Sequence, residues 1–582
     1  MENQVVDDRA IPLRTGRRRA FFGVAAAVAL AITCSIASTD VAAAGGSSKP
    51  SLPQLEPAEA GTLLECASLS EFEFPSTVIT GASVVAAGAL LNRGEPIGEH
   101  CRVTGYMNDR VSPVDGNVYR IGFEMRLPRD WSGRYLYQAN GGLDGSVVTA
   151  TGRVGGGESG LQMGMAVISS DAGHSGALGP TFGLDPQARL DYGYQAVGTL
   201  TPMAKALVEA AYGRGPDRSY MTGGSNGGRH TMVGAARYAD EYDGFLAIAP
   251  GFNLPRAAVA QIWEAQQLNT VATVPGDLAS AITPAERQTI ADAILSTCDQ
   301  LDGLIDGMVQ AGERCQQVFS LARDVPTCAG DRDGTCLSAA QKQVLTDIHE
   351  GARTSAGEPI YSSFPFDPGL TQGGWSFWQF VAPLFLDSGA VGFVFTSPPD
   401  AQTGPGYTFS VDVDRIAANI YESSGIYNQS AMEFMTPPDP ARLDTLRDRG
   451  GKLMVIHGAS DGVFSVDDTA AWYEALDGNY RNRAGEFARY YEVAGMGHVS
   501  GGPATDQYDA LQALVDWVEQ GEQPDRITAW VNPGNAEVPA DWSSDRSRPL
   551  CVYPAIARYQ QGDPESATSF KCTGDKPQTN GY

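Results

Sequence analysis

A chain of 582 residues, 42% hydrophobic and 19% charged, can bury a large core and is too long for one small domain. Its formal net charge of −27 repels nucleic acid and anionic lipid surfaces, so neither is an expected partner, and it keeps an exported protein soluble.

The N-terminus reads as a signal peptide over residues 1–44. A basic cluster, Arg17 to Arg19, precedes the apolar run "AFFGVAAAVALAIT", and small residues at Ala42 and Ala44 suit cleavage near Ala44. Arg18-Arg19-Ala20-Phe21-Phe22 also resembles a twin-arginine signal. No later run reaches about 18 apolar residues, so no membrane-spanning segment is expected in the mature chain, which should be secreted or periplasmic. Cleavage removes Cys34. The other eight cysteines, Cys66, Cys101, Cys298, Cys315, Cys328, Cys336, Cys551 and Cys572, are an even set in an exported chain and read as four disulfides. No Cys-x-x-Cys occurs, so zinc is not expected.

Three stretches then read as strands: "YRIGFEMRLP" (119–128), "RYLYQANGG" (134–142) and "MAVISSDAGH" (165–174). A helix is predicted at about 190–212. The strand "SYMT" follows, then a turn, a helix from about Gly228 to Tyr238, and the strand "FLAIAP". Two more buried strands are predicted at "KLMVIHG" (452–458) and "ARYYEVAG" (488–495). Strands alternating with helices predict an α/β fold with a parallel sheet. Between Gly251 and Arg449 the alternation breaks into Gly-, Pro- and aromatic-rich sequence, too long for a connection. We read residues 251–449 as an inserted lid domain, and residues 45–250 with 450–582 as the catalytic domain.

Gly-x-Ser-x-Gly occurs twice, around Ser225 and Ser460, and 68 glycines make the spacing alone weak evidence. A nucleophile elbow needs a strand, a tight turn without bulk, and a helix whose N-terminus faces the developing oxyanion. Ser225 has all three; Ser460 has no helix directly after it. In this order of elements an acid and then a histidine should follow the serine. Of six histidines, His498 in "VAGMGHVSGG" is in a glycine-rich loop after the last strand, whereas His457 ends a buried strand and reads as core. Asp461 sits at the end of the preceding strand; Asp467 and Asp468 are alternatives that read better as helix N-caps. His498 would take the Ser225 proton and Asp461 would fix its tautomer. The oxyanion hole would use the backbone N–H of Asn226 and that of Gly141 or Gly142.

In "CDQLDGLIDGMVQAGERC", Asp299, Asp302 and Asp306 are three and four residues apart. Three carboxylates in one tight loop suit a hard cation such as calcium, with the carbonyls of Leu304 and Met308 as further ligands. The competing reading is an acidic solvated loop. Trp375, Trp378 and Phe464 are candidates for an aromatic wall against the acyl group of a substrate. From Thr354 to Asp414 there is no Lys or Arg, so this stretch offers no clamp for a carboxylate.

"TGGSNGGR", "CDQLDGLIDG", "HGASDGVFS", "AGMGHVSGGP" and the tail "RSRPLCVYPAIARYQQGDPESATSFKC" together resemble the tannase/feruloyl esterase family, which also contains hydrolases of aromatic polyester monomers. The resemblance spans about Cys66 to Cys572. It implies an α/β-hydrolase fold with a large inserted lid and a triad of Ser225, Asp461 and His498. It implies structural calcium on Asp299, Asp302 and Asp306 with the carbonyls of Leu304 and Met308. It also implies the pairs Cys66–Cys101, Cys298–Cys315, Cys328–Cys336 and Cys551–Cys572. The family usually carries a disulfide between cysteines just before the serine and just after the histidine; here those positions are Gly224 and Val499. The expected activity is hydrolysis of small aryl or hydroxycinnamoyl-type esters. Rival readings are aliphatic or terephthalate-type esters, or a non-catalytic calcium-stabilised binding protein.

Overall fold

The structure, a computed structural model, describes residues 52–574. The predicted signal peptide and Cys34 lie outside the described residues. Nine strands form one twisted sheet: β1 Thr77–Val85, β2 His100–Val111, β3 Val118–Pro128, β4 Arg134–Ala139, β5 Ala166–Ser170, β6 Arg218–Gly224, β7 Gly244–Ile248, β8 Lys452–Gly458 and β9 Ala488–Val493. Their spatial order is β9-β8-β7-β6-β4-β5-β3-β2-β1. β4 to β9 are parallel, as the alternation of strands and helices predicts.

The sheet is nevertheless mixed, which corrects the expectation of a parallel one. β1, β2 and β3 run antiparallel to their neighbours. A short turn joins β2 to β3, closed by the Ser112 N–H donating to the Asn117 carbonyl at 2.8 Å. A connection that short allows only antiparallel pairing. β1 was not predicted because its residues are half-buried or exposed and carry no strong apolar alternation.

The central strands read as apolar runs because both faces are covered. β7 and β8 are buried at every position. Alternate residues serve opposite layers: Tyr135, Tyr137, Phe245 and Val455 face one core, and Leu136, Leu246, Met454 and Ile456 the other. The helices that matter here are α1 Ala196–Tyr212, α2 Asn226–Arg237, α3 Leu254–Val271, α4 Pro284–Cys298, α5 Gly373–Phe380, α6 Val466–Asn479 and α7 Ala510–Gln520. α1 covers the first layer through Leu200 and Leu207, and α7 the second through Leu514 and Trp517.

Between β7 and β8 the chain folds α3, α4, α5 and shorter helical turns. Thr283 and Glu286 close a capping box that starts α4. One core of this segment joins residues of the sheet region, Phe182 and Tyr192, to Val259, Val394 and Phe464. The four disulfides implied by the family resemblance are formed, with Cα separations of 5.5, 5.2, 5.1 and 5.5 Å in chain order. Among the described residues no helix is long and apolar enough to cross a membrane.

Candidate active site

β6 ends at Gly224 and α2 begins at Asn226, which leaves Ser225 alone in the turn with φ 62° and ψ −127°. A residue with a side chain occupies this region at a cost of about 1–3 kcal/mol, so its surroundings must hold it there. The Ser225 N–H donates to the Ile248 carbonyl at 2.9 Å, and its carbonyl accepts from the Arg229 N–H at 3.0 Å. The turn closes because two flanking residues lack side chains. A Cβ on Gly223 would lie 2.5 Å from the Gly227 backbone, and one on Gly227 2.4 Å from the Ala139 carbonyl. The helix starts two residues earlier than predicted, so its first N–H groups face the serine.

The loops after β8 and β9 bring Asp461 and His498 to this serine. Ser225 Oγ donates to His498 Nε2 at 2.7 Å, and His498 Nδ1 donates to Asp461 Oδ2 at 2.7 Å. This tautomer leaves a lone pair on Nε2, as a general base requires. Asp461 Oδ1 accepts the N–H groups of Val463 and Phe464 at 2.9 and 3.1 Å. His457, read from the sequence as core, is fully buried but also donates from Nε2 to Asp461 Oδ2 at 3.2 Å. Its Nδ1 accepts from the Thr469 hydroxyl at 2.8 Å. Burial alone would raise the Asp461 carboxyl, but the charge of His498 and hydrogen bonds from His457 and His498 hold it well below the usual carboxylate range.

The alternatives fall away from this relay. Ser460 is buried and donates to Asp367 Oδ1. Asp467 and Asp468 are not N-caps: Ser465 caps α6, accepting the Asp467 N–H at 3.1 Å, and both aspartates lie in the first turn. There they accept from the Ser363 hydroxyl and the Asn253 amide.

Opposite the histidine, the loop after β4 lies against the elbow. A Cβ on Gly141 would sit 3.8 Å from Ser225 Cβ, and Gly142 lines the cavity that reaches the serine. Asp144 of the same loop ties it to α2. Its Oδ2 accepts from the Asn226 amide at 2.8 Å and pairs with His230 Nε2 at 2.9 Å. Burial pushes the Asp144 carboxyl up to about 7. Arg229, fully buried, donates to Asn226 Oδ1 at 2.6 Å and to the carbonyls of Gly193, Tyr192 and Met435 at 2.8, 2.9 and 3.2 Å.

A cavity opens onto Ser225, Asn226 and Gly142. Trp378 and Phe464 line it as the sequence suggests, and both meet the His498 ring edge-on, at 4.8 and 5.4 Å between centroids. Trp375 does not. It packs against Phe380 and over Gly462, beside a smaller cavity behind Asp461. Three residues along the short helix α5 carry it away from Trp378. The sequence reading missed four residues of the site: Asp144, His230, His457 and the cavity-lining Asp387.

The sequence pattern of the family described as "Tannase and feruloyl esterase" matches residues 101–573. A mono(2-hydroxyethyl) terephthalate hydrolase from Piscinibacter sakaiensis is 37% identical over 546 residues, covering 85% of this chain and 88% of that protein. The chain belongs to the tannase and feruloyl esterase family. As a member of that family it is a carboxylic ester hydrolase. A probable feruloyl esterase B-1 from Neosartorya fischeri is 26% identical, over 77% of this chain and 82% of its own. The crystal structure of feruloyl esterase B from Aspergillus oryzae superposes with a TM-score of 0.71 at 22% identity, covering 87% of this chain and 98% of that one. That likeness establishes the α/β-hydrolase fold.

In this member of the tannase and feruloyl esterase family, the acidic loop is bracketed by Cys298–Cys315. Asp299 accepts the N–H groups of Asp306 and Gly307 at 3.1 and 2.9 Å, and Asp302 Oδ1 accepts that of Leu304 at 3.0 Å. Asp302 Oδ2 is buried without a hydrogen-bond partner. Burial, and then the charges of Asp306 and Asp299, push its carboxyl up to about 7. Asp306 is engaged by the Arg548 guanidinium. Among the described residues no three carboxylate, imidazole or thiol side chains form a metal cage by themselves. The partnerless Asp302 oxygen and the mutual repulsion of the aspartates fit a hard cation completed by carbonyls.

Proposed function

We propose that the protein hydrolyses esters of neutral aromatic acids, of the hydroxycinnamoyl type, through an acyl-enzyme on Ser225. The observation that carries this reading is the unbroken Ser225–His498–Asp461 hydrogen-bond relay opening into an aromatic-walled cavity. His498 takes the Ser225 proton as Oγ attacks the ester carbonyl. The oxyanion develops toward the N–H of Asn226 and the Gly141–Gly142 turn, at the positive end of α2. The imidazolium then protonates the departing alkoxide. Water, deprotonated by the same imidazole, releases the acid and restores the serine. Asp461, charged and held by two imidazoles and two backbone N–H groups, stabilises the imidazolium without taking its proton.

None of the residues lining the cavity is Lys or Arg. A free carboxylate on the acyl group would find no cation there, which favours neutral acids over terephthalate monoesters. The test is a panel of methyl ferulate, a terephthalate monoester and a short aliphatic ester, with fluorophosphonate labelling of wild type and Ser225→Ala. Labelling confined to wild type and a highest kcat/KM on ferulate are expected. Labelling of Ser225→Ala would remove the nucleophile assignment, and faster turnover of the terephthalate monoester would remove the substrate class.

Three accompanying readings rest on the same footing. Residues 251–449 serve as a lid that supplies about half of the cavity wall. Asp299, Asp302 and Asp306, with the carbonyls of Leu304 and Met308, would hold calcium, which braces the loop and takes no part in the chemistry at Ser225. The disulfides and the basic-then-apolar N-terminus support export with removal of residues 1–44.

A further inference from the structure

The walls of the Ser225 cavity are aliphatic and aromatic except at a few points, and at all but one of these the polar group is already spoken for. The Tyr192 hydroxyl donates to the Gly142 carbonyl at 3.2 Å. The Asn226 side chain is held between Asp144 and Arg229. Asp387 is different. It lines the cavity, it is 4% exposed, and its Oδ2 has no hydrogen-bond partner. It ends a wide π-helical turn, Pro383–Asp387, and a second such turn, Ala390–Phe395, follows; together they place Leu386, Asp387, Ala390 and Phe395 on one wall. Turns of this kind are uncommon and gather at functional sites.

A buried carboxyl oxygen with no donor is unfavourable to the folded chain and complementary to a ligand that brings one. No Lys, Arg or His lines the cavity. The ionisable group coupled to Asp387 is itself an acid: Glu264, fully buried, whose Oε1 also lacks a partner and whose carboxyl is raised by burial first and by Asp387 further. Asp387 is therefore not half of an ion pair, and it would repel an anionic substituent. A flat aromatic ring fits the walls formed by Trp378, Phe395 and Phe464, and a neutral O–H on that ring is the donor the site lacks.

We propose that Asp387 is a specificity-determining residue that accepts a hydrogen bond from a hydroxyl on the aromatic acyl group, so that esters of phenolic acids are selected over those of unsubstituted aromatic acids. Burial pushes its carboxyl up to about 7, which fits a group meant to meet a neutral partner and not a cation. A hydrogen-bonding site of this sort rejects analogues that lack the hydroxyl, because its own buried polar group is then left unpaired.

The inference rests on the aryl-ester reading above, and one set of substrates separates the two. Methyl esters of cinnamic acid, of the ring-hydroxylated cinnamic acids and of 4-methoxycinnamic acid are compared in wild type, Asp387→Asn and Asp387→Leu. The readout is the ratio of kcat/KM between hydroxylated and unsubstituted esters, so a general loss of activity cancels. Wild type should favour at least one hydroxylated ester by about tenfold or more, methylation should abolish that preference, and Asp387→Leu should bring the ratio near one. The same esters titrated into Ser225→Ala, with and without Asp387→Leu, give the binding ratio directly if the variant enzyme is too slow to assay. A ratio near one in wild type, with cinnamate esters still cleaved, overturns this inference alone, as does a preference that survives in Asp387→Leu. Failure of every cinnamate ester alongside cleavage of aliphatic ones overturns both.

Discussion

Val499 lies directly over Gly224: a Cβ placed on the glycine would be 3.0 Å from Val499 Cγ1 and 3.3 Å from Cγ2. The two positions lie just before Ser225 and just after His498, and the valine γ-carbons fill the space over the bare glycine. Val499 has φ 69°, a left-handed conformation that a β-branched residue rarely adopts. Packing, and not a covalent bond, thus holds the His498 loop against the elbow. Gly224→Cys with Val499→Cys should form a disulfide under oxidising conditions and raise stability by about 2–4 kcal/mol. Non-reducing peptide mapping and thermal melts check this. A parallel expectation is that wild-type activity survives mild reduction that spares the four native disulfides.

Asp144 should support the oxyanion hole without touching substrate. Its carboxyl joins the loop of Gly141 and Gly142 to Asn226 and His230. Replacing it with Ala frees both walls of the hole. We expect kcat to fall by about a hundredfold, the scale of one oxyanion donor, while KM stays close to wild type. Asp144→Asn, which keeps the shape, should lose much less. Equal losses in kcat for the two variants, with unchanged melting, would contradict this role.

Glu264 gives the fold a pH-dependent weakness. Burial pushes its carboxyl up to about 8, against a Gln379 hydrogen bond that lowers it and the Asp387 charge that raises it further. Gln261 and Gln379 both donate to Oε2, at 3.1 and 3.2 Å. The folded chain therefore keeps this proton to about pH 8, whereas the unfolded chain releases it near the ordinary value of 4.5. Between those limits the folded state binds more protons, so stability falls as pH rises, by up to about 1.4 kcal/mol per pH unit. Glu264→Gln removes this contribution. Melting temperatures from pH 5 to 8.5 should decline less steeply in the variant, with the variant the more stable of the two at the alkaline end.

Calcium, where it binds, should act on stability and not on the chemical step. Binding to the folded state alone adds about 2.7 kcal/mol at a hundred times the dissociation constant. A chelator should lower the melting temperature by several degrees and leave initial rates below that transition unchanged. Asp302→Ala should melt at the lower temperature with or without calcium. A wild-type melting curve indifferent to both calcium and chelator would return the loop to a solvated acidic turn.

The elements that were legible in the sequence are those whose local pattern is forced by their surroundings. β7 and β8 are largely apolar because both faces are covered, and the elbow shows in its glycines because backbone passes within 2.4–2.5 Å of where side chains would be. Residues joined only by tertiary approach were not legible. His457 and Asp461 are four apart, yet their bond depends on the turn after β8. Trp375 and Trp378 have the same chemistry in one short helix, and only its rotation decides which meets His498. Asp387 did leave a trace, as the only charged residue between Asp367 and Asp400. A lone carboxylate in an apolar run reads equally well as a helix end.

The buried guanidinium of Arg229 has a bearing on how substrate scope could be redesigned. It joins the helix that follows Ser225 to the backbone carbonyls of Tyr192 and Gly193 and to that of Met435 in the inserted segment. Moving the inserted segment would break the Met435 bond and uncover a fully buried charge on that side, while the Asn226, Tyr192 and Gly193 acceptors stay in place, so Arg229 resists displacement of the segment at this point. Engineering toward bulkier acids should therefore carve individual wall residues such as Leu386 or Ala390, one shape change at a time. Loosening loops in the hope of a wider gape would cost the nucleophile its footing before it admitted anything larger.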